Sequence, residues 1–308
     1  DNPLLHCVAE QAARPAPAAL QAVVKALRLR FADSLQGVLF YGSCLRSGDL
    51  LDGLVDAYAV VDDYANAYSR RWLRLANRWL PPNVFYLECD STAGALRVKY
   101  AVLSLADLER GTAGWFHPYL WGRFAQPVRI GHARNDAARR RLEAALASAT
   151  TTFLAEAAPC LNGEFSAEQL WVTGLRLSYR SELRPEAASR TAELVGRELA
   201  DYRARTEAAA GAGLLEAAGE HRYRSPAGPR QRRRARRRWT LRRWQGKALS
   251  VARLAKAALT FDGGVDYAAW KIQRHTGLEI TVTDRLRRHP LVFGWVALWR
   301  LLRARALH

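Results

Sequence analysis

Residues 38–63, VLFYGSCLRSGDLLDGLVDAYAVVDD, constrain the fold of this chain more than any other stretch. Val38–Tyr41 is a short apolar run of β-branched and aromatic residues, and it predicts a buried strand. The run stops at Gly42-Ser43. After a polar, glycine-containing loop a second strand is predicted over Leu54–Val61. That strand holds one acid, Asp56, among apolar neighbours. A carboxylate there is costly to bury unless it is paired or holds a cation. A Gly-Ser turn that exposes backbone N–H groups, facing such a carboxylate, suits a triphosphate and its metal ion. The plainer reading is a turn beside an edge-strand aspartate.

The layout resembles the nucleotidyltransferase superfamily of the polymerase-β type. Its signature is an apolar strand, Gly-Ser or Gly-Gly, a loop, then a strand bearing metal-binding acids. A partner acid two residues on would share a face with Asp56. Here that position is Tyr58.

At 308 residues and 49% apolar content the chain can bury a sizeable core and hold two domains. Its net charge of +18 implies an anionic partner: nucleic acid, anionic lipid or nucleotide phosphates. Cys7, Cys44, Cys89 and Cys160 form no C-x-x-C pair, so neither a zinc site nor a disulfide framework is expected, in keeping with a reducing compartment. The first residues show no basic-then-apolar leader pattern, and no apolar run approaches the ~20 residues that span a bilayer.

Along the chain, a helix is predicted over Pro17–Phe31, with Leu20, Val23, Val24, Leu27 and Phe31 on one face. Ala65–Trp79 reads as another, ended by Pro81-Pro82. Val84–Leu87 and Leu96–Leu103 read as hairpin strands around Asp90–Gly94. Arg97 and Lys99 share a face of the second. Lys99 is either an edge-strand gatekeeper or a phosphate ligand. Asn135–Ala158 reads as an amphipathic helix. Ser166-Ala-Glu-Gln169 is a capping box opening the next one, and Pro185–Ala210 continues as helix. From Arg222 to Arg243 arginines crowd together beside Trp239 and Trp244. Like charges repel, so this block is expected to be mobile and solvated. A helix over Lys247–Leu259 would put Val251, Leu254, Ala255 and Ala258 on one face, with Arg253 and Lys256 away from it. Tyr267–His275 is also expected to be helical. The tail, Pro290 to Arg303, suits either an interfacial helix or one docked on the core.

Five segments in order carry a more specific resemblance. They are Tyr41-Gly42-Ser43, Asp56 running into Val61-Asp62-Asp63, Lys99-Tyr100-Ala101-Val102, Tyr119-Leu120-Trp121-Gly122-Arg123 with Pro127-Val128, and Leu177-Ser178-Tyr179 through Glu182 to Arg184. Their order and wording are similar to the Tam41 (Mmp37) family of phosphatidate cytidylyltransferases. That family carries one strand acid, as here. It has glycine where Cys44 stands and aspartate where Glu182 stands.

The resemblance implies an α+β fold. A polymerase-β-like nucleotidyltransferase domain with a mixed sheet would span 1–134, a helical, winged-helix-like domain 135–215, and a basic, membrane-associating helical region 216–308. It also implies transfer of CMP from CTP to phosphatidic acid, giving CDP-diacylglycerol and pyrophosphate. Asp56, Lys99 and Glu182 would be catalytic. Gly42, Ser43, Lys99, Arg123 and Tyr179 would bind the nucleotide, and Asp56 and Glu182 would hold Mg²⁺. Read without the resemblance, Glu182 is a helix-end acid pairing with Arg180 or Arg184, Tyr179 a packing residue, and Asp62 and Asp63 a strand end. The implied partners are CTP, phosphatidic acid and an anionic membrane surface. The implied place is peripheral, on the inner face of a membrane: cytoplasmic in a bacterium, matrix-side in a mitochondrion. The second function class is a nucleotidyltransferase acting on RNA or another hydroxyl acceptor. The third is a non-catalytic RNA-binding protein, with the arginines on phosphates.

Overall fold

The computed structural model describes residues 2–42, 45, 50, 51, 53–182 and 188–260. Ser43, Cys44, the expected helix at Tyr267–His275 and the tail from Pro290 lie outside these residues.

The fold is α+β, built on a mixed five-stranded sheet ordered β3-β4-β2-β1-β5. Its strands are β1 (Leu35–Tyr41), β2 (Val55–Val61), β3 (Asn83–Ser91), β4 (Gly94–Ser104) and β5 (Arg129–Ala133). The expected hairpin is present as the antiparallel pair β3–β4. β2 runs parallel to β4 and antiparallel to β1. So β4 is an interior strand, and the gatekeeper reading of Lys99 falls.

Side-chain alternation divides the core between the two faces of the sheet. Val55, Ala57, Ala59 and Val61 of β2, with Val98, Tyr100 and Val102 of β4, pack under α2 (Gln21–Phe31). Tyr58, Val60, Ala101 and Leu103 point to the other face. There they meet α1 (Pro3–Ala13) and helices further along the chain. Asp56 and Lys99 belong by parity to this second face.

The expected 65–79 helix is two helices, α3 (Tyr64–Ala67), capped by Asp63, and α4 (Arg71–Trp79). After β4 come α5 (Leu105–Gly114), α6 (Trp121–Phe124) and α7 (Asp136–Ala157), the last capped by Asn135. The capping box forms as read: Ser166 and Gln169 satisfy each other's backbone at the start of α8 (Ala167–Tyr179). Within the expected 185–210 helix the described residues form α9 (Ala188–Arg197) and α10 (Leu199–Gly211), separated at Glu198. A three-stranded sheet follows, ordered β6-β8-β7, from β6 (Glu164–Ser166), β7 (Glu216–Gly219) and β8 (Arg222–Arg224).

The arginine block corrects an expectation. Arg222 and Arg224 lie in β8, and from Arg230 onward the block belongs to one 32-residue helix, α11 (Pro229–Thr260), which is docked. Arg242 is 1% exposed and bonds Glu156 Oε2 at 2.7 Å and the Phe116 carbonyl at 2.6 Å. Its guanidinium also covers the rings of Trp239 and Trp121. Arg238 shares Glu156, and Arg232 and Arg236 bond Leu161 and Asn162. Trp239 is buried, donating to the Glu156 carbonyl at 2.9 Å. The helix face is corrected too. Arg253 and Lys256 turn toward the protein, while Val251 is exposed. The Lys256 ammonium donates to the carbonyls of Leu80 and Pro82, and a Cβ on Gly246 would strike the backbone of Ser181.

Candidate active site

Asp56 and Lys99 face each other across the parallel β2–β4 pairing. Lys99 Nζ stands 3.2 Å from Asp56 Oδ1. The contact is an ion pair without hydrogen-bond alignment, since Oδ1 is buried with no hydrogen-bond partner among the described residues. The two side chains are 23% and 35% exposed, whereas Tyr58 and Val60 further along the same face are fully buried. A polar patch therefore opens where the helical cover ends. The carboxylate beside Lys99 raises its pKa against the opposing effect of burial, so the ammonium stays charged.

Gly42 follows Tyr41, the register partner of Asp56. Its φ is +94°, and a Cβ there would lie 3.0 Å from Asp56 Oδ2. Both the backbone and the carboxylate therefore call for glycine.

Arg123 enters from α6. Its Nη1 donates to the Tyr58 hydroxyl at 3.2 Å and lies 3.5 Å from those of Tyr41 and Tyr119. Nη2 is 3.6 Å from Glu182 Oε1. The guanidinium covers the Tyr119 ring at 4.6 Å and the Tyr41 ring at 5.4 Å. Burial, with Asp56 beside it, pushes the Tyr41 hydroxyl well above its ordinary pKa; burial does the same for Tyr58. Both stay protonated. Tyr58, two residues beyond Asp56 on the same strand face, is a phenol bonded to Arg123.

The structure thus brings Gly42, Asp56 and Lys99 into one group and Arg123 and Glu182 into another, with Tyr41 touching both. The Tyr179 hydroxyl donates to Gln126 Oε1 at 3.0 Å, and Gln126 in turn donates to the Gly122 carbonyl, next to Arg123. Asp63 caps α3 and Asp62 holds Asn66. Two surface hollows of about 520 and 560 Å³ contain none of these side chains; they are lined in part by Glu109 and Arg141, and by Lys25 and Arg28.

Sequence reasoning missed the tyrosine cluster and one more cation. Arg253 of α11 places its guanidinium 3.9 Å from the Tyr119 ring centre. The paired tyrosines had a signal, since 56 and 58 share a strand face. Arg253 had none, because its apolar neighbours pointed to the opposite orientation.

A hard carboxylate oxygen that meets the Lys99 ammonium, beside a close glycine backbone, suits a magnesium ion and phosphate. Among the described residues no three His, Cys, Asp or Glu gather as a metal cage. Magnesium commonly takes one or two carboxylates and completes its shell with substrate phosphates and water. No curated protein matches the chain. Residues 64–204, which include Lys99, Arg123, Tyr179 and Glu182 and begin after Asp56, match the model of the Tam41/Mmp37 family, described as phosphatidate cytidylyltransferase, mitochondrial.

Proposed function

We propose that this chain transfers CMP from CTP to phosphatidic acid at an anionic membrane surface, releasing pyrophosphate. The observation that carries the reading is the Asp56–Lys99 pair at 3.2 Å, set against Gly42, in a chain whose residues 64–204 match that family. On this reading residues 1–134 are a polymerase-β-like nucleotidyltransferase domain and 135–215 a winged-helix-like one. Residues 216–308 are the membrane-associating region.

A lipid phosphate oxygen forms a bond to the α-phosphorus of CTP. The bond from that phosphorus to the bridging oxygen breaks, and its electron pair leaves with pyrophosphate. Gly42 lets the backbone approach the phosphates closely, and Ser43 adds a hydroxyl donor. Lys99 and Arg123 balance the triphosphate charge and hold it in line. Asp56, with Glu182 as second acid, would hold Mg²⁺, which when bound supplies charge neutralisation on the phosphates. Tyr179 orients the nucleotide through the segment that carries Arg123.

The single strand acid is tolerable for this acceptor. A hydroxyl nucleophile must lose a proton and gains from a second carboxylate or metal. A phosphate monoester has a second pKa of about 6 and is largely dianionic at neutral pH. It needs little base assistance, so a phenol at Tyr58 is compatible with turnover.

Among the described residues no helix is long and apolar enough to cross a membrane. The surface reading rests on the outward side of α11, which presents Arg233, Arg237, Leu241, Trp244 and Val251. Cations and an amphipathic aromatic together suit an anionic interface.

The test is incubation of the purified chain with labelled CTP, Mg²⁺ and vesicles containing phosphatidic acid. Lipid-soluble label is expected. Label appearing only in added RNA, or no turnover at all, overturns the reading.

A further inference from the structure

Arg253 comes to the candidate site from the C-terminal part of α11. Tyr119 carries two guanidinium groups on its ring, Arg123 at 4.6 Å and Arg253 at 3.9 Å. Each is a favourable cation–π contact, but the two cations repel one another. The two acids of the site are engaged elsewhere, Asp56 with Lys99 and Glu182 with Arg123.

The hydrogen-bond partners of Arg253 itself are neutral, and the Glu182 carboxylate acts on it through space without a hydrogen bond. Its Nε donates to the Pro81 carbonyl at 3.4 Å, and its Nη2 faces His117 Nε2 at 3.5 Å. Burial and the charge of Arg253 push the His117 imidazole down to about 4, so at neutral pH it adds no charge and accepts through Nε2. Burial also lowers the Arg253 guanidinium from its ordinary value. Both contacts are long, and they use two of the five N–H donors of a planar fork. What remains is a half-buried, weakly satisfied cation next to the triphosphate residues, with donors that match two phosphate oxygens.

We propose that Arg253 binds the phosphomonoester of the acceptor, so that the C-terminal part of α11 forms the acceptor side of the site. This rests on the reading given under Proposed function and adds to it the residue that captures the second substrate. Direction of arrival favours the acceptor over the γ-phosphate of CTP. Lys99, Gly42 and Asp56 sit on the sheet, whereas Arg253 rides on the helix whose outer face carries Arg237, Trp244 and Val251. Arg253 itself projects from the opposite, protein-facing side of that helix, beside Pro81, His117 and Tyr119, so an acceptor that enters between α11 and the triphosphate residues meets it first. Charge points the same way, because a dianionic acceptor nearing a triphosphate needs a cation of its own. His117 and Pro81 are positioning residues in this arrangement, fixing the fork without neutralising it.

The test uses the full chain with Arg253→Gln, which keeps a side-chain donor for Pro81 and removes the charge. Initial rates are measured while phosphatidic acid in mixed micelles and CTP are varied separately. The KM for phosphatidic acid is expected to rise about tenfold to a hundredfold, as for loss of a charge-assisted fork. The KM for CTP and inhibition by pyrophosphate should change less than about twofold, a difference smaller than one weak hydrogen bond. Arg253→Lys should recover part of the loss, since it restores charge without the fork; it also serves as the folded comparison if the Gln variant melts early. A rise in the CTP KM alone would place Arg253 on the nucleotide and overturn the proposal. Unchanged KM values for both substrates would make the residue structural only and overturn it equally. Failure of the unaltered chain to make lipid-soluble label would instead overturn the proposed function, and this inference with it.

Discussion

Asp56 and Lys99 stand opposite each other on parallel strands that run side by side through the centre of the sheet, their charged atoms 3.2 Å apart. Neither strand is an edge, so neither residue is there to discourage aggregation. Replacing Asp56 by Asn keeps the shape and removes the anion. Lys99 is 35% exposed, so losing its partner should change stability by less than about 1 kcal/mol. Turnover should fall by about 10²–10³-fold or more, the scale of losing a preorganised electrostatic contact. Label transfer beside a thermal melt checks both. Activity close to that of the unaltered chain would remove Asp56 from the site.

Gly42→Ala should act on the same carboxylate. Its φ of +94° disfavours any side chain, and the new methyl would press on Asp56 Oδ2. Roughly 1–2 kcal/mol of stability should be lost from the backbone strain alone. The rate should drop more steeply than that, because the methyl occupies the space where a phosphate would approach. Paired urea titration and label-transfer assays separate the two effects.

The readable parts of this fold are those with short-range signals. Val38–Tyr41 and Leu54–Val61 announced themselves by apolar runs broken by glycine, and the α8 capping box is a four-residue pattern. The unreadable parts depend on partners distant in sequence. β6 has three residues and pairs with Arg222–Arg224, far along the chain. Local periodicity has nothing to register there. The arginine block reads as self-repelling until Glu156, Phe116, Trp121 and Leu161 are brought beneath it. α1 is the exception, a local element that carries no prediction here although Asn2 caps it, Pro3 opens it and Leu4, Val8 and Ala12 share its buried face. Lys99 and Arg123 were legible as chemistry, and the tyrosines that hold Arg123 only as neighbours.

His117 supplies a pH dependence of stability. Its folded pKa is about 4, below the unfolded value of about 6.5, because burial and Arg253 disfavour the imidazolium. Between those values the unfolded chain binds a proton that the folded chain does not. Stability is therefore highest above pH ~6.5 and is lost as the pH falls toward 4. The loss from this residue at pH ~5 should be about 1–2 kcal/mol, allowing for its partial exposure. Denaturant midpoints from pH ~7 to ~5 should show the slope, and His117→Phe should flatten it. A slope unchanged by that substitution would assign the effect elsewhere.

Glu156 anchors α11 from beneath. It accepts from Arg242, which is 1% exposed, and from Arg238. Glu156→Ala leaves the buried Arg242 charge without its counterion, a change that costs about 3–5 kcal/mol when one partner of a buried pair is removed. Arg242→Met removes the charge but keeps an apolar body against Trp121 and Trp239, and should cost less. Urea unfolding of the two variants gives the order. Equal losses would show that packing, and not charge compensation, seats the helix.

The outward face of α11 makes the membrane reading testable without deleting the helix. Truncation from Arg230 would also uncover the surface that Trp239 and Arg242 bury, so release from vesicles would be ambiguous. Arg233 and Arg237 are exposed and on the far side from Glu156, and Trp244 is 73% exposed. Reversing both arginines to Glu should weaken binding to anionic vesicles by at least roughly 2 kcal/mol, a factor of about 30, and flatten its salt dependence. Trp244→Ala should weaken binding by an amount that salt does not alter, because its contribution is apolar and interfacial. Neither change touches Asp56, Lys99 or Arg123, so rates on phosphatidic acid dispersed in detergent micelles should stay near those of the unaltered chain. Vesicle co-sedimentation with and without anionic lipid reads the first effects, and the micelle assay reads the last. If both variants bind anionic vesicles as tightly as the unaltered chain, α11 does not face the membrane, and its arginines must be explained by another anion.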